Sequence, residues 1–268
     1  DNENIRDSRR FQVTVVDPGC SSVVSVRTCP LEYCNGVRNI REKSTVWEVK
    51  GGEYSKDSGR KMLEKREKKR RNDSKYGRSI SSFSSVRRKT SKKQSFLNYC
   101  RVVSETFKVI FSEKMKRARK RSRFHSSRLV QKTIDKMADK ISEGISKRKN
   151  IVLFGNGSFT AKKGHASAPR KKIVRALSSR VNIGILDEFR TSKRCPGGCG
   201  GDMKDVLGQK RVRQCTTDIV GVVNPCPLSE NGVAFKSDRD CSATLNFCLA
   251  GYIGLTSKSW PEHLRRDF

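Results

Sequence analysis

The run Ile151-Val152-Leu153-Phe154, closed by Gly155-Asn156-Gly157, constrains the fold of this chain more than any other segment. Consecutive apolar residues bounded by turn formers suit a short strand buried on both faces. Such a strand needs neighbours on both edges and helices over both faces. The sequence supplies them. Phe11 to Val16 alternates as a strand and stops at Asp17-Pro18-Gly19. Cys20 to Arg27 and Thr45 to Val49 read as two more strands, and the three together predict an antiparallel meander. After Phe154, Pro169 suits the first turn of a helix with Ile173, Val174, Ala176 and Leu177 as its apolar stripe. Val181 to Leu186 is a further strand, closed by Asp187-Glu188, and Ser237 can cap a helix over about Asp238 to Leu249. Three strands, helices, strand, helix, strand, insertion and helix give an α/β pattern with a mixed sheet.

Charge separates the chain into regions. Lys and Arg number 59 against 27 Asp and Glu, a net charge of +32 over 268 residues. Residues 60–150 hold 31 of the basic residues and 8 of the acids. A field of that sign selects a polyanion, with nucleic acid the first candidate. It argues against a neutral metabolic enzyme, and no run approaches the roughly 18 apolar residues of a membrane span. Lys61 to Arg71 and Lys114 to Arg123 have the composition of nuclear-localisation patches. The Ser-rich stretch Asn72 to Ser95 reads as a mobile linker. Tyr99, Val102, Val103, Phe107, Ile110 and Phe111 form one helical stripe. Leu129, Val130, Ile134, Met137, Ala138, Ile141 and Ile145 form another, and both are expected to be packing faces. Tyr76, Phe83, Phe96 and Tyr99 lie among the basic residues, where aromatic rings can stack on bases.

Three acids stand at element ends: Asp17 after the first strand, Glu188 after the last, and Asp240 in the first turn of the final helix. Singly, each is an ordinary turn or cap residue. Together they are expected at one edge of one sheet. Side-by-side carboxylates need a cation to stay ionised. An all-oxygen set suits Mg²⁺, and two such ions about 3.5–4 Å apart can drive phosphodiester hydrolysis.

Six of the ten cysteines fall in the last third. Cys195-Pro196-Gly197-Gly198-Cys199 is a metal knuckle with one residue more than C-x₂-C, and Cys215 with Cys226 can complete a tetrahedral Zn²⁺ site. The second pair is the weaker signal, because its members lie far apart. Cys241 and Cys248 suit a helix core. His125, His165 and His263 form no cluster in the sequence.

Val16-Asp17-Pro18-Gly19 resembles the first RuvC motif of the TnpB/Fanzor transposon-associated RNA-guided endonucleases. Phe189 to Pro196 resembles their Thr-Ser-Lys-x-Cys entry to a zinc ribbon, and Asp238 to Phe247 resembles the third RuvC motif. The three occur in order. Ser242 stands where the family pattern has Asn. Bacterial TnpB carries an acid after the strand equivalent to 151–154, where this chain has Gly155-Asn156-Gly157. The eukaryotic Fanzor branch takes that acid from the next strand, which Glu188 matches, with Asp187 as the lesser alternative.

The resemblance implies a ribonuclease H-like (RuvC) mixed sheet, with strands 1, 4 and 5 central, interrupted by a basic helical insertion and a zinc-ribbon insertion. The expected parts are 11–59, 151–190 and 237–268 for RuvC, 60–150 for the basic insertion and 191–236 for the ribbon. It further implies two Mg²⁺ ions on Asp17, Glu188 and Asp240, a structural Zn²⁺, an omega-type guide RNA, target DNA, a nuclear location, and wedge and recognition domains in a missing N-terminal half. The competing readings are a catalytically decayed nucleic-acid-binding zinc-ribbon protein and a ribosomal-type basic protein. The latter leaves the acids at strand ends unexplained.

Overall fold

The computed structural model describes residues 11–19, 22–72, 74–143, 151–157, 169–218, 226–230, 233–257 and positions 259, 261 and 264. Cys20, Ile145, His165 and His263, named above, lie outside the described residues. In chain order the elements are β1 (Gln12–Asp17), β2 (Ser22–Pro30), α1 (Val37–Lys43) and β3 (Thr45–Lys50). Five helices follow: α2 (Gly51–Asp57), α3 (Arg60–Arg71), α4 (Ser74–Ser85), α5 (Lys93–Met115) and α6 (Arg117–Ser142). Then come β4 (Ile151–Gly155), α7 (Arg170–Ser178), β5 (Asn182–Leu186), the short β6 (Met203–Asp205), β7 (Val212–Cys215) and β8 (Lys236–Asp238), and α8 (Arg239–Ser257). The chain divides into two compact units, Asp1–Gly51 with Ile134–Phe268, and Gly52–Thr133.

The first unit is built on a sheet of order β3-β2-β1-β4-β5. β1, β2 and β3 form the antiparallel meander, whereas β4 runs parallel to β1 and β5 runs parallel to β4. This is the mixed α/β arrangement of the ribonuclease H-like fold. β4 is buried from Val152 to Gly155, as a run of four apolar residues demands. β1 and β4 are central, but β5 is an edge strand in the described sheet. Its residues Asn182 and Ile185 are exposed, as the margin of a sheet allows. Alternation along β1 sends Val13 and Val15 to one face, where Leu153, Ile40 of α1 and Leu245, Phe247 and Cys248 of α8 complete the core. Burying side chains of this size stabilises by about 1.5–3 kcal/mol each. The buried Arg27 ties β2 to α8 by donating to Thr244 Oγ1 at 3.2 Å, and it also donates to Ser44 Oγ at 2.5 Å.

α8 begins and ends differently from the sequence expectation. β8 runs directly into it, and the Asp238 carboxylate accepts from the Asp240 N–H at 2.9 Å, so Asp238 caps the helix instead of Ser237. The helix continues to Ser257 because nothing after Leu249 breaks it.

In the second unit, the Ser-rich stretch expected to be a mobile linker forms the helix α4 over half of its length. Tyr76, Ile80 and Phe83 recur at helical spacing on it. Ser79, Ser82 and Ser84 return their hydroxyls to the carbonyls of Lys75, Arg78 and Ile80, so the serines do not compete with the helix. Tyr76 is buried, which removes it from the base-stacking candidates. Its hydroxyl donates to Glu67 at 2.8 Å, and Arg119 joins both residues. The α5 stripe is split: Val102, Val103 and Ile110 are partly buried, whereas Phe107 and Phe111 stack on each other at 5.3 Å while exposed. The last turns of α6 belong to the first unit, where Ile134, Met137, Ala138 and Ile141 are buried. Among the described residues no helix is long and apolar enough to cross a membrane.

Candidate metal centres

Two sets of ligand-type side chains lie in the first unit. The oxygen set is assembled by the sheet. Asp17 is the last residue of β1 and follows Val15 by two, so it shares the α8-facing side of the sheet. Val16 pairs with Phe154, which brings the end of β1 beside Gly155 at the end of β4. Glu188 lies two residues beyond β5, and its carboxylate reaches back over β4. A Cβ placed on Gly155 would stand 2.2 Å from Glu188 Oε1, and one on Gly157 would stand 1.8 Å from Oε2. Gly155 at the end of β4 and Gly157 just beyond it therefore clear the space that the Glu188 carboxylate fills. The absence of an acid in Gly155-Asn156-Gly157 is thus part of how Glu188 enters.

The pocket is charged and partly dry. Burial, then the neighbouring Glu188 and Asp240, push the Asp17 carboxyl well above the usual carboxylate range, against the opposing effect of Arg239. Burial also pushes Glu188 up, while the Gly157 N–H and Arg170 pull it back. Glu188 Oε1 is buried and has no hydrogen-bond partner among the described residues. An orphaned anionic oxygen beside two further carboxylates fits a hard divalent cation. Asp187 is exposed and its Oδ1 accepts from the Phe189 N–H at 3.1 Å, so Glu188 is the acid that faces the pocket.

Four supporting residues were not singled out from the sequence. Arg170, at the start of α7, donates to the carbonyls of Asn156 at 2.9 Å and Gly157 at 2.7 Å, which fixes the turn under Glu188. Asn246 donates to the carbonyls of Thr191 at 2.7 Å and Arg194 at 3.0 Å. Thr191 in turn donates to the Glu188 carbonyl at 3.0 Å, so α8 anchors the chain on both sides of the ribbon entry. Arg211 donates to Asp240 Oδ2, with its Nε 3.7 Å from Asp238 Oδ2. Thr191 and Asn246 stood inside the quoted motifs; Arg170 and Arg211 had no signal beyond being two among 59 basic residues. Ser242 is buried and its hydroxyl has no hydrogen-bond partner among the described residues.

The sulfur set is Cys195, Cys199, Cys215 and Cys226, with all four Sγ atoms within 4.8 Å of one another. Among the described residues this is the group of ligand-type side chains gathered so tightly; the three acids are not drawn within that distance. Cys195 and Cys226 are 3.5 Å apart, as are Cys199 and Cys215. The knuckle turns at Gly198, whose φ of +68° is the left-handed region that glycine occupies freely. β6, β7 and β8 form a second sheet, and Met203, Leu228 and Phe235 add a small core around the sulfurs. The hydrogen bond from Cys195 pushes the Cys226 thiol down to about 6. Cys195 is held up by that same contact and by burial. Four crowded thiols that cannot all ionise without a cation fit tetrahedral Zn²⁺. Cys248 is buried in the core of the large sheet and Cys241 is partly buried beside it, away from this group.

With both sites placed, comparison with known proteins finds likeness in solved structures. The mini RNA-guided endonuclease CRISPR-Cas phi3 superposes with a TM-score of 0.49 at 10% identity, covering 92% of this chain and 46% of that one. CasPhi-2 (Cas12j) bound to crRNA and phosphorothioate DNA gives 0.47 at 11%, covering 97% and 47%. C2c1 of Alicyclobacillus acidoterrestris with single-guide RNA gives 0.40 at 9%, covering 90% and 39%. This chain spans less than half the length of each of them. No family model matches the sequence, and no curated protein matches it.

Proposed function

We propose that this chain is the nuclease part of a metal-dependent, RNA-guided DNA endonuclease of the TnpB/Fanzor kind. The observation that carries the reading is the burial of Asp17 beside the charges of Glu188 and Asp240, with two glycines clearing room for a Glu188 oxygen that no group among the described residues satisfies. Asp17, Glu188 and Asp240 would hold Mg²⁺, which when bound supplies Lewis acidity and an activated water for phosphodiester hydrolysis. The chain's own work is to position these carboxylates. The sheet sets Asp17, Arg170 and Gly157 place Glu188, and the cap at Asp238 orients the first turn of α8 around Asp240.

The unit Gly52–Thr133, with 27 Lys and Arg against 7 Asp and Glu, supplies the charge to hold nucleic acid by its backbone, as a guide–target heteroduplex requires. The resemblance of the three motifs supports the Fanzor branch, an omega-type RNA, a transposon origin and a nuclear site of action.

Mg²⁺-dependent cleavage of single-stranded DNA, with EDTA as control, tests the reading. Asp17→Ala and Asp240→Ala should each lower cleavage by at least about a thousand-fold, the scale of losing an essential catalytic group. Binding of RNA and DNA in a filter assay should persist. Cleavage that survives both substitutions would overturn the assignment.

A further inference from the structure

Arg211 belongs to the ribbon but acts on the acid site. It lies in the turn between β6 and β7, one residue before β7, with φ at +70°, a strained conformation for a residue with a side chain. That strain is held by the ladder around it. The Arg211 carbonyl accepts from the Arg239 N–H at 2.9 Å, and the next residue, Val212, pairs with Asp238. The backbone of Arg211 is thus sewn to the residues that start α8, and its guanidinium is turned onto Asp240 Oδ2 with Asp238 alongside. A guanidinium is a permanent, planar cation suited to a carboxylate. Asp240 is also one of the oxygens assigned above to the divalent cation.

We infer that Arg211 is a positioning residue that serves as the resident counter-ion of Asp240 in the metal-free protein and is exchanged for the divalent cation. The inference rests on the metal-site reading. Two effects act in the same sense. The guanidinium competes with the metal for an Asp240 oxygen, and its charge repels an incoming cation. Arg211 therefore keeps Asp240 paired and the edge of the sheet neutralised until metal displaces it. Because the residue sits in the ribbon turn that leads into β7, the pairing of Val212 with Asp238 holds it where it competes. A purely structural tether would behave in the opposite way: its loss would loosen α8 and weaken metal binding.

Mn²⁺ titration of the zinc-loaded full chain, read by electron paramagnetic resonance of free Mn²⁺, decides between these signs without any measurement of cleavage. Arg211→Gln should bind Mn²⁺ roughly ten-fold tighter, the scale of one charge-assisted hydrogen bond. Arg211→Lys, which keeps the charge and loses the fork, should fall between Gln and the native protein. Lys210→Gln, the same charge change on the neighbouring exposed residue, should shift affinity less than about two-fold, as expected for a screened surface charge. Unchanged or weaker Mn²⁺ binding in both Arg211 variants overturns the inference. Absence of any Mn²⁺ site that Asp17→Asn abolishes overturns it together with the metal-site reading. A site sensitive to Asp17→Asn but indifferent to Arg211 removes the role of Arg211 alone.

Discussion

The oxygen set and the sulfur set share a unit but are built in opposite ways. The sulfurs come from 32 consecutive positions, 195–226, and are drawn within 4.8 Å on a three-stranded sheet with a small core. The oxygens come from positions 17, 188 and 240 and are brought near one another by a sheet whose core owes nothing to them. A site with little scaffold depends on its ion for its fold. A site carried by a deep scaffold can hold its ligands in an unfavourable state, buried, mutually repelling and in part unpaired, while it waits for an ion. Stability should therefore respond to the two sets with opposite signs.

The largest effect belongs to the sulfurs. Structural zinc binding is worth on the order of 10–16 kcal/mol in small domains, far beyond what Met203, Leu228 and Phe235 bury. Zinc chelation, or Cys199→Ser, should leave residues 191–236 open to proteolysis while the five-stranded sheet stays protected. Limited proteolysis with mass spectrometry reads both at once. Protection of the ribbon after zinc removal would erase the contrast.

Next in size is Gly157→Ala. Its Cβ would meet Glu188 Oε2 at 1.8 Å, and overpacking of this kind costs about 1–3 kcal/mol. The double variant Gly157→Ala with Glu188→Ala should recover most of that loss in a thermal melt, because the carboxylate that clashes is gone. Additive losses would mean that Gly157 serves the backbone and not the carboxylate.

Asp17→Asn should act in the stabilising direction when metal is removed with EDTA. Burial and the nearby Glu188 and Asp240 raise the Asp17 carboxyl in the folded state, so the folded chain binds its proton more readily than the unfolded chain does. The ionised group therefore costs stability above the raised folded value, and the cost disappears as pH falls below the ordinary value of 3.8. Asn is neutral throughout. Its advantage should be a few degrees of melting temperature, roughly 1 kcal/mol in a chain of this size, at neutral pH and should vanish in acid. Cys199→Ser, in contrast, should destabilise at neutral pH.

The same contrast explains what was legible in the sequence. The strands themselves and the central place of β4 followed from apolar runs and their punctuation, whereas the edge position of β5 ran against the expectation that strands 1, 4 and 5 are central. The knuckle at Cys195–Cys199 was legible because its ligands are close in sequence. Asp17, Glu188 and Asp240 were legible as element ends, and the motif resemblance joined them. Gly155 and Gly157 read only as a missing acid, because a cleared space leaves no positive signal in a sequence. Arg170 and Arg211 were hidden by the abundance of arginine. The Ser-rich α4 was misjudged because composition outweighed the spacing of Tyr76, Ile80 and Phe83, and Tyr76 is buried through a contact with Arg119, 43 positions away.

An effect of similar size to that of Asp17→Asn separates the two sites at the level of a single hydroxyl. Thr217 Oγ1 donates to Cys199 Sγ at 3.2 Å and lies 3.0 Å from Cys215 Sγ, so one side chain serves two of the sulfurs. Thiolates on zinc carry charge that such a donor disperses, and partners of metal ligands typically tune affinity by 10–100-fold. Thr217→Val keeps the shape and removes the donor. Because Thr217 is partly exposed and water can replace the hydroxyl, the loss should sit at the low end, about ten-fold in zinc affinity by competition with a chromophoric chelator. Mn²⁺ binding at the acids should not move. A change in Mn²⁺ affinity of similar size would show that the ribbon transmits the state of its own metal across β8 to Asp240, and the two sites would then be one coupled device instead of two neighbours built on different principles.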